Sequence, residues 1–298
     1  MPKALSAILF FALLYGALII PFTSSLRDKP FVAKLGYVPS VTALKTLSAD
    51  HKEFAAASLV LKTMMYFGGL FGEKAQSEQI AVLPEYQAMS RMMHGVVQLD
   101  PYNLDAYYFA QSFLTWDVHQ YKIANELLDY GMEYRDWDWT LPFYAGFNSA
   151  YFLKDYAAAA RYYQRAGELS GTNLSKLLAG RYMQESGRTD LAITYLSAML
   201  QGEKNASMKK VYVTRLGAFQ EVNRIEQARD KYRESTGAAP LSVRQLYEKG
   251  YLVTMPVDPY GGEFYLEQDG RVATTSKFAP MQDKKNRTNK SGESDERH

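Results

Sequence analysis

The sequence predicts a mainly α-helical solenoid of stacked helical hairpins, preceded by a transmembrane helix and followed by a small α+β module. Three observations predict this fold. Alanines recur at nearly constant spacing through the middle of the chain, and a long uncharged run opens it. The periodicity stops before a C-terminal segment rich in turn residues and in alternating apolar and polar positions.

Composition sets the first limits on function. The chain has 298 residues, of which 47% are hydrophobic and 22% charged, so it is long enough to bury a sizeable core. Its formal net charge of +2 provides no strong field, and we expect no nucleic-acid partner. The absence of cysteine excludes disulfides, thiolate catalysis and thiolate metal sites.

The N-terminal run predicts a membrane anchor. Residues 4 to 22, ALSAILFFALLYGALIIPF, carry no charge, and as a helix they would roughly match the thickness of a bilayer core. We expect a transmembrane anchor over residues 1–25, with a cleaved signal peptide as the alternative. The short tail before the run favours a single-pass protein of the bacterial inner membrane with its body in the periplasm.

The segment after the anchor is predicted to begin as a linker. Residues 26–54 read as a membrane-proximal linker. A second apolar stretch over residues 54–71 carries Lys62 near its centre, where a charge is costly inside a bilayer. We therefore expect it to be a buried helix of the soluble body.

The repeat is marked by four alanines that are 35, 33 and 36 residues apart, namely Ala124, Ala159, Ala192 and Ala228. A large residue follows each of them by four positions: Leu128, Tyr163, Leu196 and Tyr232. An alanine at a helix crossing lets two backbones approach, and a large side chain one turn later fills the adjacent hole. The four-alanine run in DYAAAARYYQRA is therefore predicted to be a tight helix crossing.

This spacing resembles that of the tetratricopeptide repeat family, in which each repeat is a pair of antiparallel helices. The resemblance implies a solenoid over residues 55–236, with repeats near 55–103, 104–139, 140–172, 173–206 and 209–236. The order of anchor, repeats and terminal turn is also similar to that of bacterial membrane-anchored repeat proteins. That wider resemblance implies the architecture of the chain, but it does not indicate a specific function.

Residues 237–278 are predicted to form the small C-terminal module. Its DPYGG turn precedes two alternating segments, EFYLE and RVATTS, which are joined by a QDG hairpin turn. The segment resembles the C-terminal part of type II secretion major pseudopilins, although the pilin-type N-terminus with its glutamate is missing. We expect residues 279–298 to be a disordered tail.

The pseudopilin resemblance also implies a candidate calcium site. Some pseudopilins bind calcium near this turn, and Asp258, Glu263 and Asp269 could supply oxygen ligands here. The alternative is that an aspartate caps the turn and an Asp-Gly pair closes the hairpin.

No pattern in the sequence points to catalysis. The histidines lack metal-ligand spacing, and there is no HExxH, phosphate loop or GxSxG motif. We therefore predict a protein that is not an enzyme, has no catalytic residue and needs no cofactor. The segment YRDWDW, residues 134–139, is either a carbohydrate-binding strip or a loop whose tryptophans fill a joint between repeats.

The repeat register assigns a set of side chains to an inner groove. These candidate partner-binding residues are Tyr108, Ser112, Tyr144, Asn148, Tyr151 and Arg181. An aromatic groove with one asparagine and one arginine suits an extended peptide or a partner helix.

The sequence therefore predicts a membrane-tethered scaffold that binds other proteins in a bacterial envelope, with partners from pilus, secretion or transport assemblies. The alternative is a structural, pseudopilin-like filament or secretion subunit that uses the C-terminal module. The two hypotheses differ in whether the groove or the module makes the contact.

Overall fold

The computed structural model describes residues 2–27, 35–70 and 84–279. Its elements, in chain order, are α1 (Pro2–Arg27), α2 (Val41–Ser48), α3 (Lys52–Gly69), α4 (Tyr86–Leu99), α5 (Leu104–Trp116), α6 (Tyr121–Tyr134), α7 (Thr140–Phe147), a π-helix (Asn148–Leu153), α8 (Tyr156–Ser170), α9 (Asn173–Glu185), α10 (Thr189–Gly202), α11 (Ala206–Thr236), α12 (Val243–Glu248), β1 (Phe264–Leu266) and β2 (Val272–Thr274). The prediction of a mainly α fold is confirmed. The chain divides into an N-terminal unit, Met1–Ala110, and a C-terminal unit, Gln111–His298.

In the N-terminal unit α2, α3 and α4 pack on one another. Helix α4 is strongly amphipathic, and it buries Met89, Met93 and Val96 completely. Helix α3 was predicted to be a buried helix. The structure buries only the face of α3 that α2 and α4 cover. Phe54 and Met65 on its other face are 76% and 68% exposed.

Helix α1 covers the predicted anchor, but the prediction of a single-pass inner-membrane protein is contradicted. Among the described helices, none has both the length and the apolarity that a bilayer crossing requires. The prediction rested on the absence of charge between residues 4 and 22.

The C-terminal unit is an array of helical hairpins. Each helix from α6 to α11 packs on the next one along the chain. The four repeat alanines lie buried at the crossings, as a tetratricopeptide-like array requires: Ala124, Ala159, Ala192 and Ala228 are at most 2% exposed. The tetratricopeptide-like fold is thus confirmed by the packing.

Close approach at the crossings also depends on glycines in the first helix of a hairpin. A Cβ atom at Gly180 of α9 would lie 2.9 Å from the side chain of Leu196 in α10, and one at Gly146 of α7 would lie 3.2 Å from the ring of Tyr163 in α8. The large residues that follow Ala159 and Ala192, Tyr163 and Leu196, therefore pack directly on a glycine of the partner helix. The sequence analysis predicted the alanines but not these glycines.

The last predicted repeat, residues 209–236, is not a hairpin. Helix α11 runs without interruption from Ala206 to Thr236, with Asn205 capping its N-terminus and Gly237 at a φ of 72° ending it. No proline occurs in this segment, and its one glycine, Gly217, does not interrupt the helix. Because nothing breaks the helix where the repeat register expected a turn, the helix continues.

The C-terminal module consists of α12 and the antiparallel pair β1 and β2, in which Tyr265 lies opposite Ala273. Its residues Val243, Leu246, Val272 and Phe278 belong to the same hydrophobic core as Phe219 of α11. The module is therefore part of the C-terminal unit. The predicted disordered tail lies, from residue 280 onward, outside the described residues.

Candidate protein-binding surface

Five aromatic side chains of the C-terminal unit form one surface cluster, which we call the aromatic platform: Trp116, Tyr121, Phe147, Tyr151 and Phe152. The rings of Tyr121 and Phe152 stack with centroids 4.1 Å apart, and those of Phe147 and Tyr151 stack at 5.5 Å. Trp116 lies 5.9 Å from Phe147 and 5.5 Å from Phe152. The rings thus support one another from four elements, α5, α6, α7 and the π-helix.

The platform presents two large rings to solvent. Trp116 is 57% exposed and Tyr151 is 61% exposed. The ammonium group of Lys154 lies 5.3 Å from the centre of the Tyr151 ring. Stacked rings with few accessible rotamers lose little conformational entropy when a partner binds, so the surface is suited to act as a preformed contact.

The π-helix sets the position of Tyr151 and Phe152. It continues α7 with wider turns, and it ends at Lys154, whose left-handed φ of 56° reverses the chain into α8. Such π segments within α-helices are frequent at functional sites. Here the altered register brings two successive residues, Tyr151 and Phe152, onto the platform.

A buried polar network holds the π-helix in place. The Asn125 Nδ2 donates to the Ala145 carbonyl at 3.2 Å and to the Ser149 Oγ at 3.0 Å. The Asn148 Nδ2 donates to the Asn125 Oδ1 at 3.0 Å, and the Thr115 Oγ1 donates to the Asn148 Oδ1 at 3.3 Å. Buried amides that are satisfied in this way fix one arrangement of the surrounding helices.

This network corrects one predicted groove residue. Asn148 is 1% exposed, and both ends of its amide are hydrogen-bonded inside the protein, so it does not face a partner. The regular repeat register failed at Asn148 because the π-helix begins there.

The other predicted groove residues lie in different places. Tyr151 belongs to the platform, and Ser112 is exposed on α5 one helical turn before Trp116. Tyr144 is half-buried on α7, one turn before Phe147. Tyr108 is half-buried in the N-terminal unit, and Arg181 lines a separate cleft.

Sequence reasoning missed Trp116 and Phe147, although a signal for both was present. Trp116 follows Ser112 by four residues, and Phe147 follows Tyr144 by three, so each falls on the same helix face as a predicted groove residue.

The cleft that contains Arg181 lies between the last turn of α9, the middle of α11 and the C-terminal hairpin, and has a volume of about 270 Å³. Its charged lining residues are Arg181, Glu185, Glu226, Glu267, Arg271 and Lys277. Burial raises the pKa of the Glu226 carboxyl above its usual range, and the Thr189 hydroxyl and the Arg229 charge offset part of that rise.

The candidate calcium ligands Asp258, Glu263 and Asp269 do not form a metal site among the described residues. The buried Asp258 carboxylate accepts hydrogen bonds from the Thr274 and Ser276 hydroxyls and from the Tyr260 backbone N–H. Asp269 binds the Arg271 side chain instead. In the part of the chain that the structure describes, no group of three potential ligands could hold a metal ion.

The segment YRDWDW contains the last residue of α6 and the loop that leads into α7, and an ion pair closes this loop. The Arg135 guanidinium binds the buried Asp138 carboxylate at 2.9 Å, and Asp138 also accepts a hydrogen bond from the Thr140 N–H. Trp137 is 58% exposed, so it does not fill a joint between repeats.

Comparison with known proteins gives limited similarity. No protein-family model matches the chain, and no curated protein matches it. A solved structure described as "MamA AMB-1 P212121" is 14% identical, with a TM-score of 0.33, over 55% of this chain and 96% of its own. Another, "Crystal structure of YrrB: a TPR protein with an unusual peptide-binding site", is 16% identical, with a TM-score of 0.35, over 72% and 100%. With TM-scores this low, the class of the fold rests on the helix packing described above.

Proposed function

We propose that this protein is a non-enzymatic scaffold that binds a segment of another polypeptide on its aromatic platform. The observation that carries the proposal is the pair of exposed rings, Trp116 and Tyr151, supported from beneath by stacked aromatic neighbours. Tryptophan and tyrosine are the side chains that most often dominate binding energy at protein interfaces.

The chemistry of the platform favours a partner segment with apolar side chains. Its centre consists of ring faces and edges, and polar groups such as Lys154 and Ser112 lie around it. An apolar anchor placed between Trp116 and Tyr151 would be removed from water, while its backbone could reach the polar surroundings.

The test uses linear peptides selected on the full-length protein from a random displayed library. The affinity of the best peptides is then measured for the wild type and for Trp116→Ala and Tyr151→Ala. We expect each variant to lose about 1–4 kcal/mol of binding free energy, because exposed aromatic anchors at interfaces carry contributions of that size. Helical circular dichroism should be unchanged, since both side chains are more than half exposed.

Trp137→Ala is the matched control, since Trp137 is as exposed as Trp116 but lies outside the platform. Peptides that bind all three variants like the wild type would show that the platform is not the binding surface.

We extend the proposal to partners from pilus, secretion or transport assemblies. This extension is supported only by the resemblance of residues 255–278 to pseudopilins. A photocrosslinking residue at position 151 in living cells tests it, because the adduct identifies the partner by mass spectrometry. Adducts with components of none of these assemblies would refute the extension and leave the platform's role intact.

The alternative of a filament subunit makes a different prediction. Purified full-length protein would polymerise through the C-terminal module, and light scattering with electron microscopy would detect the filaments. We expect a scaffold of this kind to stay free of filaments.

A further inference from the structure

The cleft beside the C-terminal hairpin contains two buried polar atoms that have no hydrogen-bond partner within the described residues, the Gln184 Oε1 acceptor and the Arg181 Nε donor. Gln184 is 5% exposed and lines the cleft, and its buried carboxamide oxygen has no hydrogen-bond partner within the described residues. A buried carboxamide left in this state costs free energy, which a ligand N–H could recover.

Glu226 is a second acceptor group in the cleft. It lines the same cleft from α11, and it forms no ion pair with any cation in the described ranges. Burial raises the pKa of its carboxyl, and the Thr189 hydroxyl and the Arg229 charge offset only part of that rise, so the charged form is incompletely compensated. A cation in the cleft would supply that compensation.

The C-terminal end of α9 is a third feature of the cleft that favours a bound cation. Its last turn, with Arg181, Gln184 and Glu185, forms one wall of the cleft. The C-terminal end of a helix carries a partial negative charge, which favours a bound cation.

The cationic residues already in the cleft are largely engaged by carboxylates. The Arg271 guanidinium binds Glu267 at 2.8 Å and Asp269 at 2.6 Å. Arg181 lies 3.7 Å from Glu185 and over the ring of Tyr182. Lys277, the remaining lining cation, is exposed. None of these pairs involves Gln184 or Glu226, so both acceptors remain available to a ligand's positive charge.

We propose that this cleft binds an alkylguanidinium or alkylammonium group, the charged end of an arginine or lysine side chain, with Gln184 and Glu226 as its acceptors. The cleft volume of about 270 Å³ lies just below the range of pockets for drug-sized ligands, so it suits one side chain or one free amino acid. None of the platform residues lines the cleft, so this inference stands independently of the proposed function.

The test is titration of the isotopically labelled full-length protein with blocked arginine, N-acetyl-arginine methylamide, monitored by nuclear magnetic resonance. We expect saturable shifts of the Gln184 side-chain amide and of hairpin amides. The neutral isostere N-acetyl-citrulline methylamide should produce none at the same concentration. Free L-arginine and blocked lysine are titrated in parallel: tighter binding of free arginine identifies a free amino acid as ligand, and equal or tighter binding of the blocked form identifies a polypeptide side chain.

The variants Glu226→Gln and Gln184→Met should each weaken binding of blocked arginine by roughly 10- to 100-fold, since each removes one acceptor of a charge-assisted hydrogen bond. Glu221→Gln is the matched control, because Glu221 is a half-buried glutamate of the same helix that is paired with Arg224 and lies outside the cleft.

Three results would overturn the proposal. The first is equal binding of the citrulline compound, and the second is an unchanged affinity in both cleft variants. The third is saturable binding of phosphate or acetate at the cleft without any response to blocked arginine, which would show an anion site instead. If Gln184→Met fails to fold, Glu226→Gln alone decides, because neutralising a half-buried carboxylate that is only partly compensated should not destabilise the protein.

Discussion

At the residue scale, the repeat depends on pairs of side chains rather than on single small residues. The sequence showed the alanine period because it recurs along the chain, and all four alanines are buried. It did not show that Gly180 receives Leu196 or that Gly146 receives Tyr163, since those pairs join different helices and become visible only in the packing.

A prediction tests one of these pairs. Gly180→Ala places a methyl group 2.9 Å from the Leu196 side chain, and we expect it to lower the free energy of unfolding by roughly 1–3 kcal/mol. Leu196→Val in the same chain should recover part of that loss. A double-mutant cycle by urea denaturation measures the coupling, and simple additivity would contradict direct packing.

Glu226 gives a residue-scale prediction about pH. Its folded-state pKa is raised by burial, so the native state binds more protons than the unfolded state as the pH rises above about 4.5, its usual value. Stability therefore falls with rising pH through that window. Glu226→Gln removes this cost: it should be more stable than the wild type at pH 7, and the difference should vanish well below pH 4.5, where the carboxyl is neutral in both states.

Urea denaturation of both proteins from pH 3.5 to pH 8 checks this prediction. A variant that is less stable than the wild type at pH 7 would show that Glu226 is compensated in the native protein. The stability gain, if found beside a loss of arginine binding, would also separate a specific ligand effect from damage to the fold.

At the element scale, helix type and rough position were predictable, and irregular elements were not. The alternating pattern and the DG turn located the two strands because both signals are local. The π-helix was missed because the sequence NSAYFL carries no breaker, and the wider turns depend on the buried amides of Asn125 and Asn148. One predicted groove residue failed for this reason.

The continuity of α11 supports a second element-scale prediction. Asn223→Pro lies in the middle of the helix, where it removes a hydrogen bond and clashes with the preceding turn, so we expect a loss of about 3 kcal/mol or more. A hairpin with its turn near residue 223 would tolerate the proline. The thermal and urea unfolding transitions measure the difference.

Ala206→Pro is the control for that experiment. Ala206 is the first residue of α11, and Asn205 before it has a φ of −76° and a ψ of 119°, which suits a residue that precedes proline. It should therefore change stability by no more than about 0.5 kcal/mol.

At the scale of the whole molecule, the C-terminal module is less separate from the helical array than the sequence suggests, because the two share one hydrophobic core. The loss of period after residue 236 predicted a distinct module, yet the Arg215 guanidinium of α11 donates to the Tyr260 hydroxyl and to the Phe278 carbonyl. These contacts span up to 63 residues of sequence, and no local pattern encodes them. Deleting the module to test its function would therefore expose the core beneath it.

The last prediction concerns this integration. Phe278 is 5% exposed, and its ring meets that of Phe219 edge to face at 5.2 Å. Phe278→Ala should lower the unfolding free energy of the C-terminal unit by about 3–5 kcal/mol, because it leaves a cavity in the core shared with α11. The helical circular dichroism signal should melt earlier as a consequence, although the substitution lies outside every helix. Tyr265→Ala, in β1 of the same module but 43% exposed, should have a much smaller effect. If the module folded independently, the helical melting temperature of Phe278→Ala would equal that of the wild type. That result would show that the module and the helical array unfold separately.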